Sequence, residues 1–135
     1  MASRPTEPTW LTRVVVDAIH TDQIREHGGL PGLRDENGLE SALTRARHKW
    51  LYGRVTDLAS LGAACAFGLV RNHPYNDGNK RVALVAMLAF LTINGQDVDA
   101  DEDDVLTTML ALAAGRLTEP GLATWLRSRM VRMKH

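Results

Sequence analysis

Nine consecutive residues, His73-Pro74-Tyr75-Asn76-Asp77-Gly78-Asn79-Lys80-Arg81, bring a base, an acid, carboxamides and two cations together just before a wholly apolar stretch. Such a segment can do chemistry on a phosphate. His73 is a candidate proton acceptor, Asp77 is a hard oxygen ligand for a divalent cation, and Asn79, Lys80 and Arg81 are candidate phosphate partners directly before a predicted helix. Counting Arg71, Lys80 and Arg81 against Asp77 gives the segment a local charge of +2, in a chain whose 16 basic and 16 acidic residues leave it formally neutral. The cationic character is local, as a phosphate site requires.

Turn chemistry accounts for part of this segment. His73-Pro74 ends one helix, Asn76-Asp77-Gly78 makes a turn, and Asn79 caps the next helix. That reading does not explain why a connection between two buried helices should also carry His73, Lys80 and Arg81, since desolvating charged groups is costly without a partner. An anion supplies the partner, and unpaired N–H groups at the positive end of the following helix would add to its binding. The chain contains no Gly-x-x-x-x-Gly-Lys-Ser/Thr, so the site is not a P-loop.

The elements that must position this loop are helical, because no stretch shows sustained alternation with β-branched enrichment. Six helices are expected, in an all-α class. The first runs from about Thr9 to His27, capped by Thr9 and stopped by Gly28-Gly29, with Leu11, Val14, Val15, Ala18, Ile19 and Ile24 as its buried stripe. A turn-rich connection, Leu30 to Glu36, leads to a short second helix capped by Asn37 that carries Leu39, Ala42, Leu43 and Ala46, and residues 49–56 read as loop. The third helix, capped by Asp57, is apolar or small from Leu58 to Val70 except at Ser60, and the fourth has ten apolar residues in succession from Val82 to Leu91. Helices apolar all round are buried, and ten residues fall well short of the roughly 20 that span a bilayer. Small residues at Ala59, Gly62, Ala63, Ala66 and Gly68 would let a neighbour approach the third helix closely. The polar loop therefore joins a central buried helix pair, a rigid mounting suited to exact geometry. Asn94-Gly95 ends the fourth helix, a fifth runs from about Asp101 to Ala114, and a sixth from about Glu119 to Arg132.

With 135 residues, 44% apolar and 24% charged, the chain reads as a single globular domain, residues 1–135, with residues 1–8 a flexible N-terminal tail lacking a signal-peptide pattern. Neutral charge argues against direct nucleic-acid or membrane binding. The single cysteine, Cys65, lies in Ala63-Ala64-Cys65-Ala66-Phe67 and reads as an inert buried thiol in a cytoplasmic protein. The acids from Asp99 to Asp104 suit the first turn of a helix better than a calcium loop. His20 and His27 could share a helix face, but no third ligand supports zinc. Lys49-Trp50-Leu51-Tyr52 and Trp125 read as core aromatics in preference to partner-facing ones.

The central loop resembles the signature of the Fic/Doc superfamily, and lysine in its eighth position followed directly by arginine resembles the Doc (death-on-curing) branch. Ile24-x-x-His27-Gly28-Gly29, Gly32-Leu33-Arg34-Asp35, Leu39-x-x-Ala42-Leu43 and Phe90-Leu91-x-x-Asn94-Gly95 extend the likeness, in the expected order, over about Asp17 to Met130. The resemblance implies a compact Fic/Doc-type helical bundle and a toxin of a toxin-antitoxin system. Such a toxin is a protein kinase that uses ATP and Mg2+ to phosphorylate a hydroxyl of a translation factor, elongation factor Tu, blocks translation, and is silenced by a separate antitoxin chain. It implies His73 as general base, Asp77 as magnesium ligand, and Gly78, Asn79, Lys80 and Arg81 at the nucleotide phosphates. In the AMP-transferring Fic branch a glycine replaces the lysine and leaves room for the α-phosphate, so Lys80 points to transfer of the γ-phosphate. The alternatives are a Fic-type nucleotidyl transferase and a non-catalytic interaction module with the same fold. Tyr75 stands where the family has phenylalanine, adding a hydroxyl that needs a partner, and Val82 replaces a common threonine. The connection from Gly28 to Asp35 lies where the family has a flap, so Arg34 and Asp35 become candidates for target docking. Ser3 and Glu7 have the spacing of the self-inhibitory element of many Fic proteins, but Pro5 and Pro8 disfavour a helix there, which favours inhibition in trans.

Overall fold

In a computed structural model, residues 5–134 are described, and they form six helices and one small two-stranded sheet. The helices are α1 (Arg13–His27), α2 (Glu36–Tyr52), α3 (Leu58–Asn72), α4 (Asn79–Ile93), α5 (Glu102–Ala113) and α6 (Glu119–Arg129). Strands β1 (Gln96–Val98) and β2 (Met130–Arg132) pair antiparallel, with Asp97 opposite Val131. The fold is all-α in character, as expected from periodicity. Ser3, one half of the disfavoured inhibitory pair, and residues 1–4 of the predicted tail lie outside the described residues.

The central pair is α3 and α4. Helix α3 packs against α2, α4 and α6, and α4 also receives α1. Its buried face includes Leu61, Ala63, Ala64, Ala66 and Leu69, while α4 contributes Val82, Ala83, Ala86, Met87, Phe90 and Leu91. The small residues act as anticipated. A Cβ added at Gly68 would sit 3.1 Å from the Ala42 Cα of α2, and one at Gly62 would meet Leu91 at 3.3 Å and Leu126 at 3.6 Å. Backbone-to-backbone approach at Gly68 is what fixes α2 beside the end of α3.

Four sequence expectations are corrected. Helix α1 is capped by Thr12 and not Thr9: the Thr12 Oγ1 accepts the Val15 N–H at 3.3 Å, and the helix starts at Arg13. Its buried face passes through Val16 and His20, while Val14 is 78% and Val15 42% exposed. Leu11 and Ile19 of the expected stripe do pack against the core, and His20, with an interior hydrogen-bond partner, takes a core position that an apolar pattern does not reveal. Helix α2 begins behind Asp35 and not Asn37, the Asp35 carboxylate accepting the Gly38 N–H, and it runs on through residues 49–52 in place of the expected loop. Finally, α6 stops at Arg129, and the next three residues form β2, too short for any alternation to be legible.

The aromatic expectation divides. Trp50 is buried and meets Trp10 edge-on at 6.4 Å, Trp10 stacks on Phe90 at 5.9 Å, Trp125 is half-buried beneath the Arg129 guanidinium, and Tyr52 is exposed. Thr9 exchanges two hydrogen bonds with the Asn94 side chain, so the chain is tied to the end of α4 before α1 begins. The acids at α5 behave as dipole partners: Asp101 caps the helix, Glu102, Asp103 and Asp104 fill its first turn, and Asp104 pairs with Arg129. Burial pushes the Cys65 thiol up to about 12, which keeps it protonated and inert.

Candidate active site

Helix α3 ends at Asn72, and His73 turns the chain in the left-handed region at φ 45°, ψ 56°, a conformation that costs a non-glycine residue roughly 1–2 kcal/mol. The strain persists because the surroundings fix it. The His73 N–H donates to the Leu69 carbonyl at 3.3 Å, and the His73 carbonyl accepts from the Arg34 guanidinium. With its backbone held on both sides, the His73 imidazole is left at the surface, where a reacting hydroxyl can reach it.

The floor of the loop is held by Asn79 and Tyr75. The buried Asn79 carboxamide accepts the Tyr75 N–H and donates to the Tyr75 carbonyl, each at 3.0 Å. Both polar ends of this side chain are thereby committed to the loop's own backbone, and Asn79 is not the cap of α4 that turn chemistry suggested; Gly78 is, at φ 78°. The Tyr75 hydroxyl finds its partner in α1, donating to the Asp17 carboxylate at 2.7 Å. The Tyr75 ring stacks on His20 at 3.9 Å, and the His20 Nε2 lies 3.0 Å from the Asp77 carbonyl. A carbonyl only accepts, so this contact fixes the His20 tautomer with the proton on Nε2. Asp17, His20 and their grip on the loop are the site residues that sequence reasoning missed; the Tyr75 hydroxyl was the available signal. His27 lies exposed at the end of α1, and no group of three metal-ligating side chains occurs among the described residues.

Asp77 is exposed and anchored by backbone donors. Its carboxylate accepts the Leu30 N–H at 3.2 Å and the Gly78 N–H at 2.9 Å, and these bonds, with Arg81 and His20 adding smaller favourable fields, hold it below the ordinary carboxylate value. Its approach to the connection leaves no room for a side chain at Gly29, where a Cβ would lie 2.8 Å from Oδ2. An ionised carboxylate offers about four lone-pair directions, so two N–H contacts leave capacity for a cation. Magnesium commonly uses one or two carboxylates together with substrate phosphates, and a lone exposed Asp77 beside Lys80 and Arg81 fits that donor set.

At the start of α4 the Val82 N–H is the first to bond back along the helix, to the Gly78 carbonyl, and no side chain caps the N–H groups of residues 79–81. The other five helices all begin behind a capping Thr or Asp side chain. Lys80 is exposed, Arg81 half-buried, and neither has an ion-pair partner among the described residues. Donors and cations thus converge where an anion would sit. From Arg81 a largely apolar groove of about 770 Å³ extends between Leu84, Val85 and Leu88 of α4 and Val105 and Leu106 of α5. Arg71, counted with the loop on sequence grounds, lies elsewhere: it belongs to the last turn of α3, over the Phe67 ring, because the left-handed turn at His73 separates the two helix ends.

The connection between α1 and α2 runs antiparallel to the loop. The Arg34 and Asp35 N–H groups both donate to the Pro74 carbonyl, the Asn76 N–H donates to the Gly32 carbonyl, and Leu33 faces Tyr75 in a β-bridge. Arg34 and Asp35, singled out for target docking, have structural work in the chain itself: Arg34 holds the His73 carbonyl and Asp35 caps α2.

Residues 10–91 match the Fic/DOC family. The chain is 34% identical over 110 residues, 82% of its length and 86% of the relative's, to "Protein kinase doc" of Escherichia phage P1. It is 41% identical over 81 residues, 56% of its length and 59% of the relative's, to "Toxin Doc" of Mycolicibacterium smegmatis (strain ATCC 700084 / mc(2)155).

Proposed function

The chain belongs to the Fic/Doc family, in its Doc branch, and on that premise we propose that it is a Doc-type toxin that transfers the γ-phosphoryl group of ATP to a hydroxyl of elongation factor Tu. The observation that carries the reading is the bare N-terminus of α4, with Lys80 and Arg81 unpaired among the described residues, one loop away from a surface-facing His73. The relative from phage P1 named a protein kinase supports the same direction.

In this reading His73 takes the proton from the target hydroxyl as its oxygen bonds to the γ-phosphorus, and the bond from that phosphorus to the β-bridging oxygen breaks. Histidine is the residue type suited to proton transfer near neutrality, and a positioned general base contributes about 10²–10⁴ in rate. Asp77 would hold magnesium, which when bound offsets charge on the phosphate oxygens. The N–H groups of residues 79–81, together with Lys80 and Arg81, bind the phosphates and stabilise the charge spread over the transferred group. Asn79 contributes its backbone and keeps the loop in shape through Tyr75. Lys80 stands where the AMP-transferring branch has glycine, so the γ-phosphate is the one presented. A separate antitoxin chain would silence the enzyme.

The test is transfer of label. The chain and its His73→Ala variant are incubated with elongation factor Tu, magnesium and ATP labelled in the α- or the γ-phosphate. Label transferred from the γ-phosphate and lost in the variant is expected. Transfer from the α-phosphate would make the chain a nucleotidyl transferase, and transfer from neither would remove elongation factor Tu as its target.

A further inference from the structure

The loop and the bare helix end leave a second cationic feature unused. A cavity of about 720 Å³ has His73 in its wall but none of Asp77, Asn79, Lys80 or Arg81. Its charged lining is Arg45 and Lys49 from α2, Arg71 from α3 and Glu119 from the start of α6. An adjoining cavity of about 620 Å³ along α2 shares Arg45, Lys49 and Arg71, and its lining has no acidic residue. The two form one trough that reaches His73 without passing the phosphate-binding residues.

Its charge is not balanced internally. Glu119, with a side chain only 12% exposed, accepts from both Arg45 and Lys49 at 2.7 Å, so two cations share one carboxylate. Arg71 has no carboxylate within ion-pair distance among the described residues; its guanidinium lies 5.8 Å from the Phe67 ring centroid, and Arg45 covers the same ring at 4.8 Å. In a chain of zero formal charge this is a local positive excess next to the catalytic base.

We propose that this trough docks an acidic stretch of the protein substrate and so delivers the acceptor hydroxyl to His73, an inference that rests on the kinase reading. Acceptor and leaving group lie roughly in line in phosphoryl transfer, so the acceptor must reach His73 along a path the nucleotide does not fill. The trough is such a path. Arg and Lys arranged along it match carboxylates by charge, and complementary charge mainly sets encounter rate and register. A protein partner fits better than a nucleic acid: the Phe67 ring is covered by two guanidinium groups and is not offered to a base, and Glu119 sits among the cations.

The discriminating variant is Arg71→Glu, at an exposed residue with no ion pair among the described residues. Its KM for elongation factor Tu should rise roughly tenfold, with KM for ATP and saturated kcat retained, and Arg71→Lys should recover most of the loss. An unchanged KM for the protein overturns the proposal. Should the wild-type chain transfer nothing to elongation factor Tu, the target reading fails, and the trough is judged separately by amide-shift titration of the labelled chain. The probes are a threonine-centred oligoglutamate peptide, an oligolysine peptide and a single-stranded DNA oligonucleotide. Shifts at Lys49, Phe67 and Arg71 with oligoglutamate alone support an acidic protein partner. Equal or stronger shifts with DNA, or none with any probe, overturn it.

Discussion

The N-termini of α4 and α5 are built on opposite plans. Helix α5 starts behind the Asp101 carboxylate, has Glu102, Asp103 and Asp104 in its first turn, and anchors Asp104 to Arg129. Helix α4 starts behind Gly78 with no side-chain cap, and Lys80 and Arg81 stand in its first turn, at the end of the helix dipole that disfavours cations. The first plan maximises the stability of the isolated helix; the second sacrifices some of it. A helix that tolerates bare donors and misplaced cations is held by something else, here the burial of Val82, Ala83, Ala86, Met87, Phe90 and Leu91. The difference separates a helix end closed by its own side chains from one whose N–H groups no side chain covers.

The contrast can be broken at several points. The largest effect should come from His73→Ala, which is expected to lower transfer by about 10²–10⁴, measured as initial rate with γ-labelled ATP. Loss of the Gly68 close approach comes next: Gly68→Val should destabilise by about 1–3 kcal/mol through overpacking against the Ala42 backbone, read from urea unfolding. Removing the cap of α5 in Asp101→Ala should cost about 1 kcal/mol and leave transfer intact. Lys80→Glu should do the reverse, raising stability by about 0.3–1 kcal/mol while weakening transfer; a loss of stability in this variant would contradict the contrast between the two helix ends.

The smallest effect concerns Asp77. Its folded-state pKa lies below the ordinary value of 3.8, so the stability it contributes is fully present above that value and disappears as pH falls through the lowered one. The Leu30 and Gly78 amide shifts should therefore stay constant from neutrality down to the ordinary carboxylate range and move only in more acid solution. In Asp77→Asn that titration should be absent from both amides.

Much of this arrangement was legible in the chain. Two apolar helices flanking a charged loop could only be central, and α3 and α4 are the pair that the other helices pack around. What escaped depends on partners far apart in sequence. His20 reads as a polar interruption of α1 until the Asp77 carbonyl, 57 residues on, is placed against its Nε2. Arg34 reads as an exposed recognition residue until the His73 carbonyl is found within its reach. An Arg34→Ala variant would therefore loosen the loop as well as any docking, and lost phosphorylation in it would not isolate recognition. Asn79 reads as a cap and phosphate partner, and its turn into the protein depends on the shape of the loop itself.

The connection from Gly28 to Asp35 is joined to the loop mainly through main-chain groups: the Leu30, Arg34 and Asp35 amides and the Gly32 and Pro31 carbonyls carry its bonds, and Gly28, Gly29 and Gly32 carry its positive φ angles. The side chains of Leu30 and Pro31 are exposed and take no part in that ladder. Side-chain changes at those two positions should therefore leave the main-chain frame that aligns the loop unaltered.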